Sequence, residues 1–164
     1  MAFVKAIHKI SNRLDYLCGI ATIICLATMV VFTGMQIVCR LADNALAWSE
    51  EATRYLMVWA TFLGASCVYK RMGHINVTLL QAMVPNSFQT VMRAACHMLC
   101  VAFALLAVVH GVDYMEMQST QLSAALRIPM SWVYLAIPVG FSIMSVHVLD
   151  LLLKMLPCNC DEEA

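Results

Sequence analysis

The run YLCGIATIICLATMVVFTGMQIVC, residues 16–39, contains no charged side chain and lies between Asp15 and Arg40. A helix that spans a bilayer needs about 20 consecutive apolar residues, so this run is long enough to cross a membrane. Of the 164 residues in the chain, 62% are hydrophobic and 12% are charged. Soluble domains carry about 25% charged residues. The sequence therefore predicts an integral membrane protein.

Three further apolar stretches predict helices that cross the membrane. They cover residues 50–71, 94–117 and 128–150. The first of them reaches spanning length only with its charged ends, since the charge-free part, 55–69, is short. With 16–39, these stretches predict an all-α integral membrane protein with four transmembrane helices. Little sequence remains for a soluble domain, so we expect the whole chain to form one four-span membrane domain.

Two short segments between and before the spans have the character of interfacial helices. Residues 3–14 and 74–84 place apolar side chains on one helical face, which is typical of helices that lie on a membrane surface. An unstructured basic tail is an equally reasonable reading of 3–14. Gly73 and Pro85 bound the second segment. Residues 154–164 are expected to form a cytoplasmic tail.

The basic residues are distributed unevenly between the two predicted sides of the membrane. Seven Lys and Arg residues fall on one side and three on the other. The positive-inside rule then predicts a multi-pass protein with both termini in the cytoplasm. The formal net charge of zero gives no indication of a nucleic-acid partner. The seven residues are Lys5, Lys9, Arg13, Lys70, Arg71, Arg93 and Lys154, and the three are Arg40, Arg54 and Arg127.

A cleavable signal peptide is the less favoured interpretation of the N-terminal region. Ala45-Leu46-Ala47 resembles a cleavage site, but the apolar run before it exceeds the usual 7–15 residues of a signal peptide. We therefore expect the first span to be retained.

A charged cluster, WSEEATR at residues 48–54, lies at the head of the second span. We expect Ser49 to cap the helix, and either Glu50 or Glu51 can reach Arg54 at helical spacing. Charges entering a membrane span are kept where something holds them. Two interpretations remain open: a self-contained ion pair at a capped helix end, or contact with another membrane subunit or with Arg40. On the second, replacing Arg54 should strand both acids and weaken assembly or uptake.

The centres of the predicted spans carry no charge. Near them, the polar residues are Thr28 and Thr61. Secondary transporters bind solute and ions near this depth, so the chain is not expected to transport a solute alone. Motifs of hydrolases, kinases, dinucleotide-binding enzymes and metalloproteases are absent from the sequence, so we do not expect an enzyme. Pro138 is expected to kink the fourth helix.

Histidine pairs offer the main alternative function. His97 and His147 fall at similar depths in the third and fourth spans and could ligate haem, as in a cytochrome b-like membrane anchor of a redox enzyme. His74 has no Cys, His or carboxylate near it at metal-ligand spacing, so we expect it to form a hydrogen bond between loop and helix. A third alternative is a four-span scaffold for unrelated partners.

Taken together, an ordered set of residues resembles the small membrane subunit of TRAP transporters. The similarity extends from about residue 13 to 152, in the same four-span order. At Thr78 the sequence departs from the family, where an acidic residue is expected. The residues that carry the resemblance are Trp48, Glu50, Glu51, Arg54, Trp59, 62–65, Arg71, Gly73, His74, Ile75 and Pro85, followed by Leu126, Ile128, Pro129, Trp132, Tyr134 and 137–140.

The resemblance implies an accessory role in the uptake of a small organic acid. In that family a periplasmic solute-binding protein delivers the solute to a large multi-span permease subunit, which binds sodium and moves as an elevator. The small subunit packs against that subunit's scaffold among membrane lipids, and no cofactor is expected in this chain. On this resemblance, Trp48, Glu50, Glu51 and Arg54 would steady the outer end of the second helix at the subunit boundary. Arg71 and His74 would hold the inner amphipathic segment.

Overall fold

Helices account for the regular structure of the chain. The computed structural model describes residues 2–44, 46–72 and 86–155. Within these ranges the regular elements are helices, apart from one isolated bridge between Leu122 and Pro129. The predicted all-α class is thereby confirmed. The helices are α1 (Ala2–Leu41), α2 (Ala47–Met72), α3 (Asn86–Met117), the short α4 (Ser131–Tyr134) and α5 (Ala136–Met155).

Three helical segments are long and apolar enough to cross a membrane. They are Lys5–Leu41, Ala94–Met117 and Ser131–Leu153. Helix α2 is not among them, because charged residues at both of its ends lower its hydropathy. The chain is thus an integral membrane protein, while membrane crossing by α2 remains a prediction.

Helix α1 is one continuous helix of 40 residues, whereas the sequence suggested an interfacial segment 3–14 followed by a span 16–39. At 1.5 Å per residue it is about 60 Å long, about twice the thickness of a bilayer's hydrocarbon core. The continuity has a packing reason. Polar side chains of its first turns, Ser11 among them, bond to the other end of the chain.

Helix α2 runs antiparallel to α1 and contacts it at two distant levels. The ring of Trp48 packs edge-on against that of Phe32, with centroids 5.7 Å apart. At the other end, the Arg71 guanidinium lies 3.3 Å from the Asp15 carboxylate. Asp15 and Phe32 are separated by 17 positions of α1, or about 25 Å. The two helices therefore stay side by side over most of a membrane's thickness.

The middle of the bundle is held together by aromatic rings and a close helix approach. Phe141 of α5 lies edge-on to Phe62 of α2 and to Phe103 of α3, with centroids 5.8 and 5.6 Å away. Next to it, a Cβ added at Gly140 would lie 2.7 Å from the Cβ of Phe62. Glycine is therefore what lets α5 approach α2 at this level.

The predicted fourth span contains two helices. Residues 131–134 form α4, and α5 begins at Ala136, after Leu135, whose backbone keeps helical angles (φ −56°, ψ −26°). The kink expected at Pro138 stays a prediction. Pro138, in the first turn of α5, has no N–H with which to bond the carbonyl four residues earlier, at Tyr134. Its missing hydrogen bond thus coincides with the end of α4. The predicted interfacial segment 74–84 lies outside the described residues.

Candidate functional site

One end of the bundle, called the outer end after the orientation that the sequence predicts, is organised around the Glu51 carboxylate. One of its oxygens accepts hydrogen bonds from the Tyr55 hydroxyl at 2.6 Å and from the Ala124 N–H at 3.0 Å. The other accepts from the N–H groups of Ala125 and Leu126, at 2.9 and 2.8 Å. A single side chain of α2 therefore holds three consecutive amides of the connection between α3 and α4.

These bonds favour the charged form of Glu51, which lies outside the three candidate membrane spans. The Tyr55 hydroxyl has the largest effect, and the Leu126 and Ala125 amides add to it. Together they outweigh the opposing effect of desolvation and lower the pKa of the Glu51 carboxyl to about 2. The carboxylate is consequently ionised at neutral pH.

The loop that Glu51 holds is a short hairpin, here called the outer loop (residues 118–130). The Ser123 N–H donates to the Ile128 carbonyl, and the Met130 N–H donates to the Gln121 carbonyl, both at 2.9 Å. Arg127 closes the turn with a positive φ of 53°. The hairpin exposes its N–H groups to one side, where the carboxylate accepts them.

Glu50 and Arg54 form the predicted ion pair on the exposed side of α2. Glu50 contacts the guanidinium directly, and the two side chains are 56% and 74% exposed. The expectation that Arg54 holds both acids is wrong in one respect, because Glu51 bonds to Tyr55 and the outer loop instead. Loss of Arg54 would therefore strand Glu50 alone.

Ser49 lies inside the first turn of α2 and is not the residue that caps the helix, as was predicted. The helix starts at Ala47, and the Ser49 hydroxyl donates back to the Leu46 carbonyl at 2.8 Å. Ser49 is fully buried, so its hydroxyl is satisfied within the chain. Trp48 keeps 37% of its surface exposed beside Phe32.

The opposite end of the bundle, called the inner end after the same predicted orientation, is a polar layer shared by α1 and α2. The Arg71 guanidinium contacts one oxygen of Asp15, and the Lys70 ammonium donates to the Asn12 side chain at 2.7 Å. The other Asp15 oxygen is buried and has no partner within the described residues. Arg71 thus ties α2 to α1. His74, which was predicted to hold the inner amphipathic segment together with Arg71, lies outside the described residues.

Helix α5 joins the polar layer through two contacts with α1. The Ser11 hydroxyl lies 2.9 Å from Nδ1 of His147, and both residues are fully buried. His8 Nδ1 donates to Asp150 at 3.2 Å, and its Nε2 accepts from Asn12 at 3.1 Å. Sequence reasoning missed Ser11, His8 and Asp150. The available signal was the helical spacing of His8 and Ser11 on the predicted interfacial helix, and the charge of Asp150 at the end of the predicted fourth span.

The histidines proposed as haem ligands serve as packing and hydrogen-bonding groups. His97 Nδ1 lies 2.8 Å from the Tyr69 hydroxyl, and His147 Nδ1 lies 2.9 Å from the Ser11 hydroxyl. Both are buried within the chain. Within the described part of the chain, no group of three or more His, Cys, Asp or Glu residues could hold a metal ion.

The fold and its two polar ends define a small multi-helix membrane protein. Residues 29–158 match the family of tripartite ATP-independent periplasmic transporters, DctQ component. The match covers most of the chain, which therefore belongs to this family. The family consists of transporter subunits, so the chain is not an enzyme, and the cytochrome alternative is not favoured.

Several relatives carry the same family name. The chain is 29% identical to the isethionate TRAP transporter permease protein DctMQ of Oleidesulfovibrio alaskensis, over 65% of this chain and 17% of that protein. It is 32% identical to a putative TRAP transporter small permease protein of Haemophilus influenzae, over 52% of each. The sialic acid TRAP transporter small permease protein SiaQ of Vibrio cholerae is 24% identical, over 93% of this chain and 87% of that one. The chain thus spans a sixth to a half of the first two relatives.

Proposed function

We propose that the chain is the small membrane subunit of a TRAP-type solute importer in a bacterial inner membrane, where it supports the large permease subunit. Membership of the DctQ component family is the observation that carries this proposal. The arrangement of charge supports it. Charged contacts lie at the two ends of the bundle, and aromatic packing occupies its middle. A chain built in this way offers support rather than a solute site.

Two helices of the bundle leave broad apolar faces for a partner. In the most apolar window of each candidate span, 6% of the residues of α1 and 17% of those of α3 are buried within the chain. The corresponding share for the α4–α5 segment is 44%. We propose that part of these open faces packs against the large permease subunit and that lipid covers the rest. The relative named as a DctMQ permease protein, much longer than the chain, fits a large partner of this kind.

The charged cluster at residues 48–54 is a second proposed contact with the large subunit, at the outer end of the bundle. Glu50 and Arg54 are both exposed and Trp48 is partly so, which leaves them accessible to the large subunit. Glu51 acts there indirectly, because it positions the outer loop beside them. On the inner side, Arg71 and His74 are the proposed support for segment 74–84.

The proposed solute is a small organic acid. Three relatives are named for isethionate, sialic acid and C4-dicarboxylate, all of which are organic anions. The proposal places solute and sodium binding in the large subunit, with delivery by a periplasmic solute-binding protein. The excess of basic residues at the inner ends favours cytoplasmic termini.

Purification of the tagged full chain in mild detergent, with mass spectrometry of what accompanies it, tests the proposal. We expect a large multi-span membrane protein at about one copy per chain. Uptake of organic acids by vesicles containing both subunits and the binding protein should then require a sodium gradient. Recovery of the folded chain with no such partner from its native membrane would overturn the proposed function.

A further inference from the structure

The polar layer fixes how the inner end of α1 is rotated. Ser11 points at His147 of α5, His8 points at Asp150 of the same helix, and Asp15 faces Arg71 of α2. These three α1 positions are spaced by three and four residues, so they form one face. The opposite face of α1 must therefore point away from the bundle.

Two basic side chains occupy that opposite face. Lys9 and Arg13 each lie two positions from Ser11, which is a rotation of about 200° in a helix of 3.6 residues per turn. Both are exposed. Neither makes a hydrogen bond or ion pair with the part of the chain that the structure describes. Below them on the same side, Tyr16 and Leu17 are 68% and 60% exposed.

The depth of these cations matches a lipid headgroup layer. The apolar run begins at Tyr16, so Arg13 lies about 4.5 Å and Lys9 about 10 Å beyond it along the helix. The headgroup region on each side of a bilayer is about 5–8 Å thick. Arg13 thus falls within that layer, and the long side chain of Lys9 can reach back to it.

We propose that Lys9 and Arg13, with Tyr16 and Leu17 beneath them, form a docking surface for an anionic phospholipid. The two cations would contact the phosphate and headgroup, and the exposed apolar side chains would contact the acyl chains. Charge complementarity is the argument for an anionic lipid rather than a zwitterionic one, because surface cations near a membrane attract anionic lipids individually and additively. The inner leaflet follows from the proposed orientation, but the binding itself does not depend on it.

The test is native mass spectrometry of the full chain released from mixed micelles. The micelles contain equal amounts of phosphatidylglycerol and phosphatidylcholine with identical acyl chains. We expect the wild-type chain to retain phosphatidylglycerol preferentially. In Lys9→Gln/Arg13→Gln the ratio of retained phosphatidylglycerol to phosphatidylcholine should fall by up to about 30-fold, the combined effect of two such cations.

Two controls locate the effect. Lys9→Arg/Arg13→Lys keeps both charges and should keep the preference, while Arg40→Gln removes a cation at the other end of α1 and should also keep it. Thermal unfolding identifies any variant that does not fold, in which case the single substitutions Lys9→Gln and Arg13→Gln take its place.

Equal retention of the two lipids by the wild type would overturn the proposal. So would an unchanged ratio in a folded Lys9→Gln/Arg13→Gln chain, or an equal loss in Arg40→Gln. Recovery of the large permease subunit is scored separately. Failure of lipid docking with normal recovery of that partner would leave the proposed function standing.

Discussion

The Ser11 hydroxyl lies 2.9 Å from Nδ1 of His147, across 136 positions of sequence. The contact joins the first helix to the last, and neither residue is accessible to solvent. One turn away on each helix, His8 bonds to Asp150. The inner ends of α1 and α5 are therefore paired in one register by polar bonds.

Ser11→Ala should destabilise the chain by about 1–3 kcal/mol, because His147 Nδ1 would remain buried without its partner. Thr28→Ala is the matched control, since Thr28 is only partly buried and its hydroxyl donates within its own helix, to Ile24. We expect it to change stability by no more than about 0.5 kcal/mol. Thermal or denaturant unfolding in detergent measures both. Equal effects of the two substitutions would refute a special role for the Ser11 contact.

Gly140→Ala should loosen the contact between α2 and α5. The added methyl group would meet the Cβ of Phe62 at 2.7 Å, and overpacking of this kind costs about 1–3 kcal/mol. At Gly34 the same substitution meets nothing within 4 Å. Gly34→Ala should therefore be neutral or stabilise the helix by up to about 1 kcal/mol. The measurement is the unfolding midpoint of each variant, and a Gly140→Ala chain as stable as Gly34→Ala would contradict the close approach.

Glu51→Ala should release the outer loop while leaving the helices in place. The three amides of Ala124, Ala125 and Leu126 would lose their acceptor, so their hydrogen exchange should become several-fold faster. Glu50→Ala removes a neighbouring carboxylate that does not bond to the loop. Its effect on exchange at these amides should be negligible. Unchanged protection in the Glu51 variant would show that the loop is held by other contacts.

Arg54→Ala should have little effect on the stability of the isolated chain. Exposed ion pairs four residues apart on a helix contribute about 0.3–0.5 kcal/mol, and Glu51 keeps its own partners. If Arg54 lies at the subunit boundary, the yield of the complex with the large permease subunit should fall while the fold persists. Co-purification yield measured beside thermal stability separates the two effects. Normal yield in a stable variant would remove Arg54 from the proposed boundary.

Composition and periodicity were sufficient to predict the membrane class and the number of long helices. An apolar run of about 20 residues matches the thickness of a bilayer and so predicts a membrane helix. The Glu50–Arg54 pair follows from the spacing of four residues on a helix. Both are local properties, which a single sequence carries. The family resemblance rested on residues at both ends of the bundle, and the family match confirmed it.

Contacts between distant segments could not be predicted in the same way. Nothing local distinguishes Glu51, which accepts amides more than 70 positions away, from its neighbour Glu50. The same is true of Ser11, because its partner His147 lies 136 positions away. The start of α2 was misplaced because Ser49 can cap a helix or bond backwards, and burial decides between these roles.

The attachment of the outer loop to α2 has a consequence for molecules that recognise this face of the protein. The surface there is assembled from residues near position 51 and from residues 124–126, which adjoin only in the folded chain. A nanobody selected against this face should therefore recognise a discontinuous epitope. It would bind the folded subunit and ignore both a linear peptide from the loop and the denatured chain on a blot.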